Sequence, residues 1–177
     1  MQKVVFGAGC FWCVEAVFQR LRGVISVTPG YAGGERDHPN YYAVANGTTG
    51  HAEVIEIVYN PEVISFEILL SVFFAFHDPT TLNRQGNDVG TQYRSAIFYT
   101  TLEQKEESVR FIENLEAEKT FANKIVTEVQ PLEKFFEAES EHKSYYNNNQ
   151  DQPYCQFMID PKIAKLRTKF LHLLKDV

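Results

Sequence analysis

Three cysteines, a set of carboxylates and several phenols are the groups in this chain equipped for chemistry. Cys10 and Cys13 stand in Gly7-Ala8-Gly9-Cys10-Phe11-Trp12-Cys13, directly after a β-rich Lys3-Val4-Val5-Phe6. Gly7 and Gly9 permit a tight turn. Apolar Phe11, Val14, Val17, Phe18 and Leu21 then recur at helical spacing, and Gly23 sits where a helix end favours a left-handed residue. Cys10 therefore falls at the first turn of a helix, beside unpaired backbone N–H groups and the positive end of the dipole. Such surroundings stabilise a thiolate and lower the thiol pKa, which makes Cys10 a candidate nucleophile. The plain alternative is an inert small hydrophobe among aromatics. A strand, Gly-x-Gly and a cysteine at a helix start form a costly arrangement for packing alone.

Four chemistries fit a cysteine so placed. Cys10 and Cys13 form a C-x-x-C that could cycle to a disulfide, although its Phe-Trp interior is bulkier than that class prefers. Cys10, Cys13, Cys155, His51 and His77 could bind a metal, but the paired spacing of a zinc site is missing. Cys10, His51 and Asp88 could form a hydrolase trio. The fourth reading joins a thiolate to an aromatic box of Phe11 and Trp12, an acid at Glu53, and phenols at Tyr41 and Tyr93. Asp88 and Gln92 lie in a polar loop nearby in sequence to Tyr93. A carboxyl in apolar surroundings keeps its proton near neutral pH and can hydrogen-bond an X=O group while sulfur attacks X. The bland alternatives are a surface ion pair for Glu53 and half-buried loop anchors for the tyrosines. His51 could cap its loop, and His77 suits the dipole at a helix C-terminus.

The elements that must hold these groups follow from periodicity. Residues 24–27 read as a strand closed by Pro29-Gly30, followed by a flexible loop over 30–34 and a polar loop over 35–50. Residues 51–59 form the clearest strand, with Glu53 at its start. Ser65 caps a helix over 66–77, and 80–94 is a polar, glycine-punctuated loop of binding composition. A strand over 95–99, a capping box at Thr101 and Gln104, and an acidic helix to about Lys119 come next. A strand over 124–129 and a helix over 135–146 precede a polar arm, 147–153, that leads to Tyr154-Cys155. Asp160-Pro161 opens a final helix with Ile163, Leu166, Phe170, Leu173 and Leu174 on one side. The fold class expected is α+β: a sheet with helices packed on its faces and an irregular C-terminal arm ending in a helix.

The 177 residues suit one domain spanning 1–177, and 44% apolar with 14% aromatic residues is the composition of a globule. A net charge of −6 argues against a nucleic-acid partner. No apolar run is long enough for a membrane span. Met1-Gln2-Lys3 enters a strand directly, which leaves no room for a signal peptide, and three cysteines do not suit a secreted disulfide framework. A reducing cytoplasm is the expected location.

Longer motifs now combine. Gly9-Cys10-Phe11-Trp12, Gly30-Tyr31-Ala32-Gly33-Gly34, Thr49-Gly50-His51-Ala52-Glu53, His77-Asp78-Pro79-Thr80 and the run from Arg84 to Ser95 resemble the A-type peptide methionine sulfoxide reductases. The resemblance runs from Lys3 to about Cys155, and the last helix is less diagnostic. It implies a ferredoxin-like α+β core that reduces the S-epimer of methionine sulfoxide, free or in proteins. It assigns Cys10 as nucleophile, Phe11 and Trp12 as the pocket for the S-methyl group, and Glu53 as the acid. Tyr41 and Tyr93 assist, and Asp88 supports the site. Cys10 would become a sulfenic acid, a second thiol would close a disulfide, and thioredoxin would reduce it. No metal or organic cofactor is implied.

One position departs from the commonest pattern, where a glycine often follows Phe-Trp: this chain has Cys13. Cys13 and Cys155 are thus both candidate resolving thiols. The first helical turn is expected to hold Cys13 away from Cys10, and a bridge needs close Cα approach. Cys155 follows a flexible arm, so accessibility favours it. A C-x-x-C oxidoreductase acting on protein disulfides is the competing enzyme class, and a sulfoxide-binding module the non-enzymatic one.

Overall fold

Val4, Val5 and Phe6 are buried on both sides, as a central strand of covered sheet requires. In the computed structural model, which describes residues 1–175, they lie in β1 (Gln2–Ala8). There follow α1 (Phe11–Phe18), β2 (Val24–Ala32), α2 (Tyr41–Ala45), β3 (Ala52–Tyr59) and α3 (Phe66–Ala75). A small hairpin of β4 (Arg84–Gln85) and β5 (Asp88–Val89) precedes β6 (Ser95–Tyr99) and α4 (Leu102–Ala117). The chain ends with β7 (Glu128–Pro131), β8 (Phe135–Glu137), α5 (Tyr145–Asn148) and α6 (Asp160–Lys169).

Six strands make one sheet in the order β7-β6-β1-β3-β2-β8. The β6–β7 pair is parallel, and the other pairs are antiparallel. Val4, Phe6 and Ala8 face a core shared with Phe18 of α1, Phe73 of α3 and Leu166 of α6. The Phe6 ring lies 4.6 Å from that of Phe73 and 5.6 Å from that of Phe18. Val5 points to the other face, where Ala32, Ala52, Val54, Ala96 and Phe98 form a smaller cluster. The mixed α+β class expected from the sequence is the class observed.

Several boundaries differ, each for a physical reason. β2 runs through Pro29 and Gly30, because Pro29 stands opposite Ile55 while its carbonyl accepts from Ala138 N at 2.9 Å. Gly30 must lack a side chain there: an added Cβ would meet the Phe135 ring at 2.4 Å. Residues 135–137 form edge strand β8 on β2 rather than the start of a helix. The strand expected over 124–129 begins later, at Glu128. α1 ends at Phe18, so Gly23 (φ +94°) serves a turn beneath Ile64 instead of capping the helix. The loops at 35–50 and 80–94 carry α2 and the β4–β5 hairpin. Ser65 and Thr101 cap α3 and α4 as expected, each accepting a backbone N–H at 3.2 Å.

Candidate active site

Antiparallel register gathers distant residues at one rim of the sheet. Phe6 stands opposite Ile55, Ala8 opposite Ser95, and Tyr31 opposite Glu53. The end of β1, the start of β3, the end of β2 and the start of β6 therefore lie side by side. Cys10 is the N-cap residue of α1, and its carbonyl accepts from Cys13 N at 3.2 Å and Val14 N at 3.4 Å. Phe11 N, one of the donors a helix start leaves free, points at Glu53 Oε1 at 3.2 Å. Glu53 is 2% exposed. Burial pushes its pKa up to about 8, against the opposing pull of the Phe11 N–H, and Asp88 adds a further upward push.

The thiols differ from expectation in two ways. Cys10 does not have a lowered pKa: its hydrogen bond with Cys13, burial, and the charges of Cys13 and Glu53 hold it well above the ordinary thiol value. The helix start is outweighed chiefly by that hydrogen bond and by burial. Cys13 moves down instead, chiefly through the hydrogen bond with Cys10. Cys10 stands at the N-cap of α1 and Cys13 three residues on, in its first turn. Tyr154 Oη completes the group, 3.6 Å from Cys13 Sγ. Cys155 is fully buried in a wide helical turn, Cys155–Ile159, leading into α6, so the expected flexible, accessible arm is absent there. All three cysteines are free.

Above Cys10 lies an aromatic enclosure. Phe11 is fully buried and Trp12 half-buried. The Tyr145 ring stacks on Trp12 at 3.8 Å, and Trp12 Nε1 donates to His142 Nδ1 at 3.1 Å. Tyr41 stacks on His142 at 4.5 Å and lies 6.3 Å from Phe11 and 6.4 Å from Trp12. Burial first, then the charges of Glu53, Asp88 and Cys10, raise the phenols of Tyr41, to about 12, and Tyr93. Burial also raises half-exposed Asp88. Cys10, Phe11, Trp12, Cys13, Tyr41, Glu53, Asp88 and Tyr93 are thus drawn to one place, with Cys155 buried behind them.

Loops reach this place through side chains bound to backbone. Gln85 accepts from Asp78 N at 2.9 Å and donates to Asp78 O at 3.0 Å, clamping the hairpin that carries Asp88. Its methylenes cover Gly9 (φ +88°), where an added Cβ would approach to 2.7 Å. Gln92 Nε2 donates to Ala45 O at 2.9 Å, tying α2 to the turn that holds Tyr93. Glu139 accepts from Tyr31 Oη and from Tyr41 N, both at 3.0 Å. Arg94 binds Gly50 O at 3.1 Å and Thr91 O at 2.9 Å.

His51 is not a base for Cys10. Its Nδ1 accepts from Gly34 N at 3.0 Å and its Nε2 binds Arg36 O at 2.6 Å, so both nitrogens serve the loop. His77 is buried between Phe73 O and Ser95 Oγ, and burial lowers its pKa to about 4, so it is neutral rather than a cation on the α3 dipole. Among the described residues, Glu139, Glu141 and His142 bring ligand atoms within 4.8 Å, but Glu139 and His142 already accept the bonds given above. Reading the sequence missed Tyr31, Glu139, His142, Tyr145 and Tyr154 as neighbours of the site. Tyr31 lies in β2, whereas the other four fall in a segment that mixes acids and aromatics without any helical or strand period, and that mixture was its available signal.

The sequence model of the family described as peptide methionine sulfoxide reductase matches residues 2–173. The chain belongs to this family. A relative from Chromobacterium violaceum, peptide methionine sulfoxide reductase MsrA, is 53% identical over 176 residues, covering 99% of this chain and 100% of that one. The structure of methionine sulfoxide reductase A of Corynebacterium diphtheriae superposes with a TM-score of 0.81 at 34% identity, over 84% of this chain and 75% of that one. Mxr1 from Saccharomyces cerevisiae, in complex with Trx2, is similar at a TM-score of 0.55 and 26% identity, over 81% of this chain and 83% of that one.

Proposed function

We propose that this protein reduces methionine-S-sulfoxide, free or within proteins, to methionine at Cys10. The observation that carries the reading is Glu53: a buried carboxyl with a pKa near 8, hydrogen-bonded to the first N–H of the Cys10 helix. Protonated at neutral pH, it hydrogen-bonds the sulfoxide oxygen, and the neutral phenols of Tyr41 and Tyr93 donate beside it. Phe11 and Trp12 receive the S-methyl group, and Asp88 shapes the opposite wall.

Sulfur of Cys10 attacks the sulfoxide sulfur, forming an S–S bond and leaving negative charge on the sulfoxide oxygen. When the oxygen then passes to Cys10, that bond breaks and its electron pair stays with the methionine sulfur. Glu53 gives its proton to that oxygen and takes up the thiol proton, so no net charge enters the crowded site. Oxygen passes to Cys10, the sulfoxide is reduced by two electrons, and Cys10 is left as a sulfenic acid. Cys13, three residues on in the same helical turn and with its pKa lowered, then closes the disulfide with loss of water. Cys155, buried in its turn, needs a local opening of the 145–159 segment before it can exchange. A thioredoxin-class dithiol restores the thiols, a reading supported by the Mxr1–Trx2 complex. No metal or organic cofactor takes part.

The unit β1-α1-β2-β3-α3-β6 is read as ferredoxin-like, supported by its spatial order β6-β1-β3-β2. Residues 1–177 act as one domain. Free thiols that must be recycled suit a reducing cytoplasm. Among the described residues, no helix is long and apolar enough to cross a membrane. The charge of −6 disfavours nucleic acid as a partner.

The test is epimer-resolved turnover with thioredoxin and its reductase. The S-sulfoxide of a model peptide is consumed, the R-sulfoxide is not, and Cys10→Ser abolishes the reaction. Reduction of insulin disulfides with no methionine formed would instead make this a C-x-x-C disulfide reductase.

A further inference from the structure

Helix α6 brings to the thiol pair a cation for which the sulfoxide reduction has no use. We propose that Lys162, whose side chain lines the same narrow cavity as Cys13, is a positioning residue for the resolving step: its charge stabilises the thiolate that attacks the Cys10 sulfenic acid. The proposal rests on the reading of Cys13 as the resolving thiol.

The cavity lies behind α1, between α1, α3 and α6. Its walls are otherwise apolar: Ala8, Val17, Phe18, Phe73 and Phe76 line it together with Cys13 and Lys162. Lys162 is half-buried, and its Nζ donates to Phe76 O at 2.9 Å. Phe76 caps the C-terminus of α3, so a helix end fixes the ammonium, which keeps further donors free. Cys13 does not set where the charge sits. The other groups acting on Cys13 or acted on by it are Cys10, Tyr154, Asp88, Glu53 and Cys155. Each is neutral or anionic, so Lys162 is the cation among them. Lys162 also borders an open cleft with Asp78, Thr80 and Lys165, so its charge is partly screened on that side. It acts in the direction that lowers the Cys13 pKa, alongside the larger effect of Cys10.

The step balances without another reactant. Cys13 loses its proton, its sulfur attacks the sulfenic sulfur, an S–S bond forms and the S–O bond breaks. The leaving hydroxide takes up that proton as water. Cys13 sulfur is oxidised by one electron and Cys10 sulfur reduced by one. Lys162 is unchanged throughout.

The experiment is a single turnover by the full-length reduced protein with excess S-sulfoxide peptide and no reductant, followed between pH 6 and 9. Methionine is quantified, sulfenic acid is trapped with dimedone, and the disulfide is mapped by peptide mass spectrometry. Lys162→Gln keeps a donor for Phe76 O and removes the charge. Its methionine burst matches wild type, which also shows that it is folded. Its disulfide formation slows about tenfold near neutral pH, the trapped sulfenic acid rises, and the pH midpoint of disulfide formation moves upward, because rate follows thiolate fraction. Lys162→Arg restores most of the rate. A Cys10–Cys13 bridge formed by Lys162→Gln at the wild-type rate and pH profile overturns this proposal alone. A wild-type bridge to Cys155 overturns the Cys13 reading and this proposal with it.

Discussion

Glu53 sets the pH behaviour of the proposed reaction, and the sign follows from its environment. An unfolded glutamate releases its proton near 4.5, whereas burial holds this one until about 8. Methionine formation should fall as pH rises through about 8, where the acid is lost. Glu53→Gln should lower single-turnover rates by about a hundredfold or more and abolish that limb of the profile. Stability moves oppositely in the mutant. Between those two pKa values the folded state holds a proton that the unfolded state has released, so raising the pH destabilises wild type, on the order of a few kcal/mol. Glu53→Gln should therefore unfold at a higher temperature than wild type at pH 8 and show little difference near pH 4, by calorimetry. A loss of stability at pH 8 would mean the carboxylate is stabilised in ways not described above. Tyr41→Phe and Tyr93→Phe should each lower the rate about tenfold, the worth of one hydrogen bond made in the transition state, with little change in KM.

At the scale of elements, the site depends on loops held by side chains rather than by sheet. Gly9 is a tight junction beside the nucleophile, since it combines φ +88° with the Gln85 methylenes at 2.7 Å from an added Cβ. Gly9→Ala should cost roughly 1–3 kcal/mol in denaturant unfolding. In a Gln85→Ala background the cost should shrink, because the 2.7 Å approach of Cγ is removed while the Cβ contact at 2.9 Å and the backbone strain remain. Equal costs in the two backgrounds would show that Gln85 does not press on Gly9. Much of this architecture was legible beforehand. Gly9 followed by Cys10 announced a strand-to-helix turn, and Ser65 and Thr101 announced the caps of α3 and α4. β8 was not legible, because three edge residues gain strand character only by pairing with β2 over Gly30. The pKa of Cys10 was misread for a related reason. Its local position at a helix start favours a thiolate, but the neighbouring Cys13, burial by the tertiary structure and the charge of Glu53 reverse the balance.

The whole molecule places its thiols at three depths. Cys10 is half-buried under the aromatic enclosure, Cys13 is buried behind it, and Cys155 is buried fully in the C-terminal segment. The sequence showed the nucleophile candidate, two candidate resolving thiols with Cys155 favoured, and the family motifs, but not that depth, since polar residues 147–153 read as a loose arm. Burial favours Cys13 as the first thiol to close on Cys10. Cys155→Ser should then retain at least half of thioredoxin-dependent turnover, while Cys13→Ser should accumulate sulfenic acid trappable by dimedone. The most direct measurement is a single turnover without reductant, comparing methionine formed with thiols lost. One methionine per chain with two thiols lost, mapped to Cys10 and Cys13, is the result this account predicts. No methionine, with all three thiols still titrating, would contradict it.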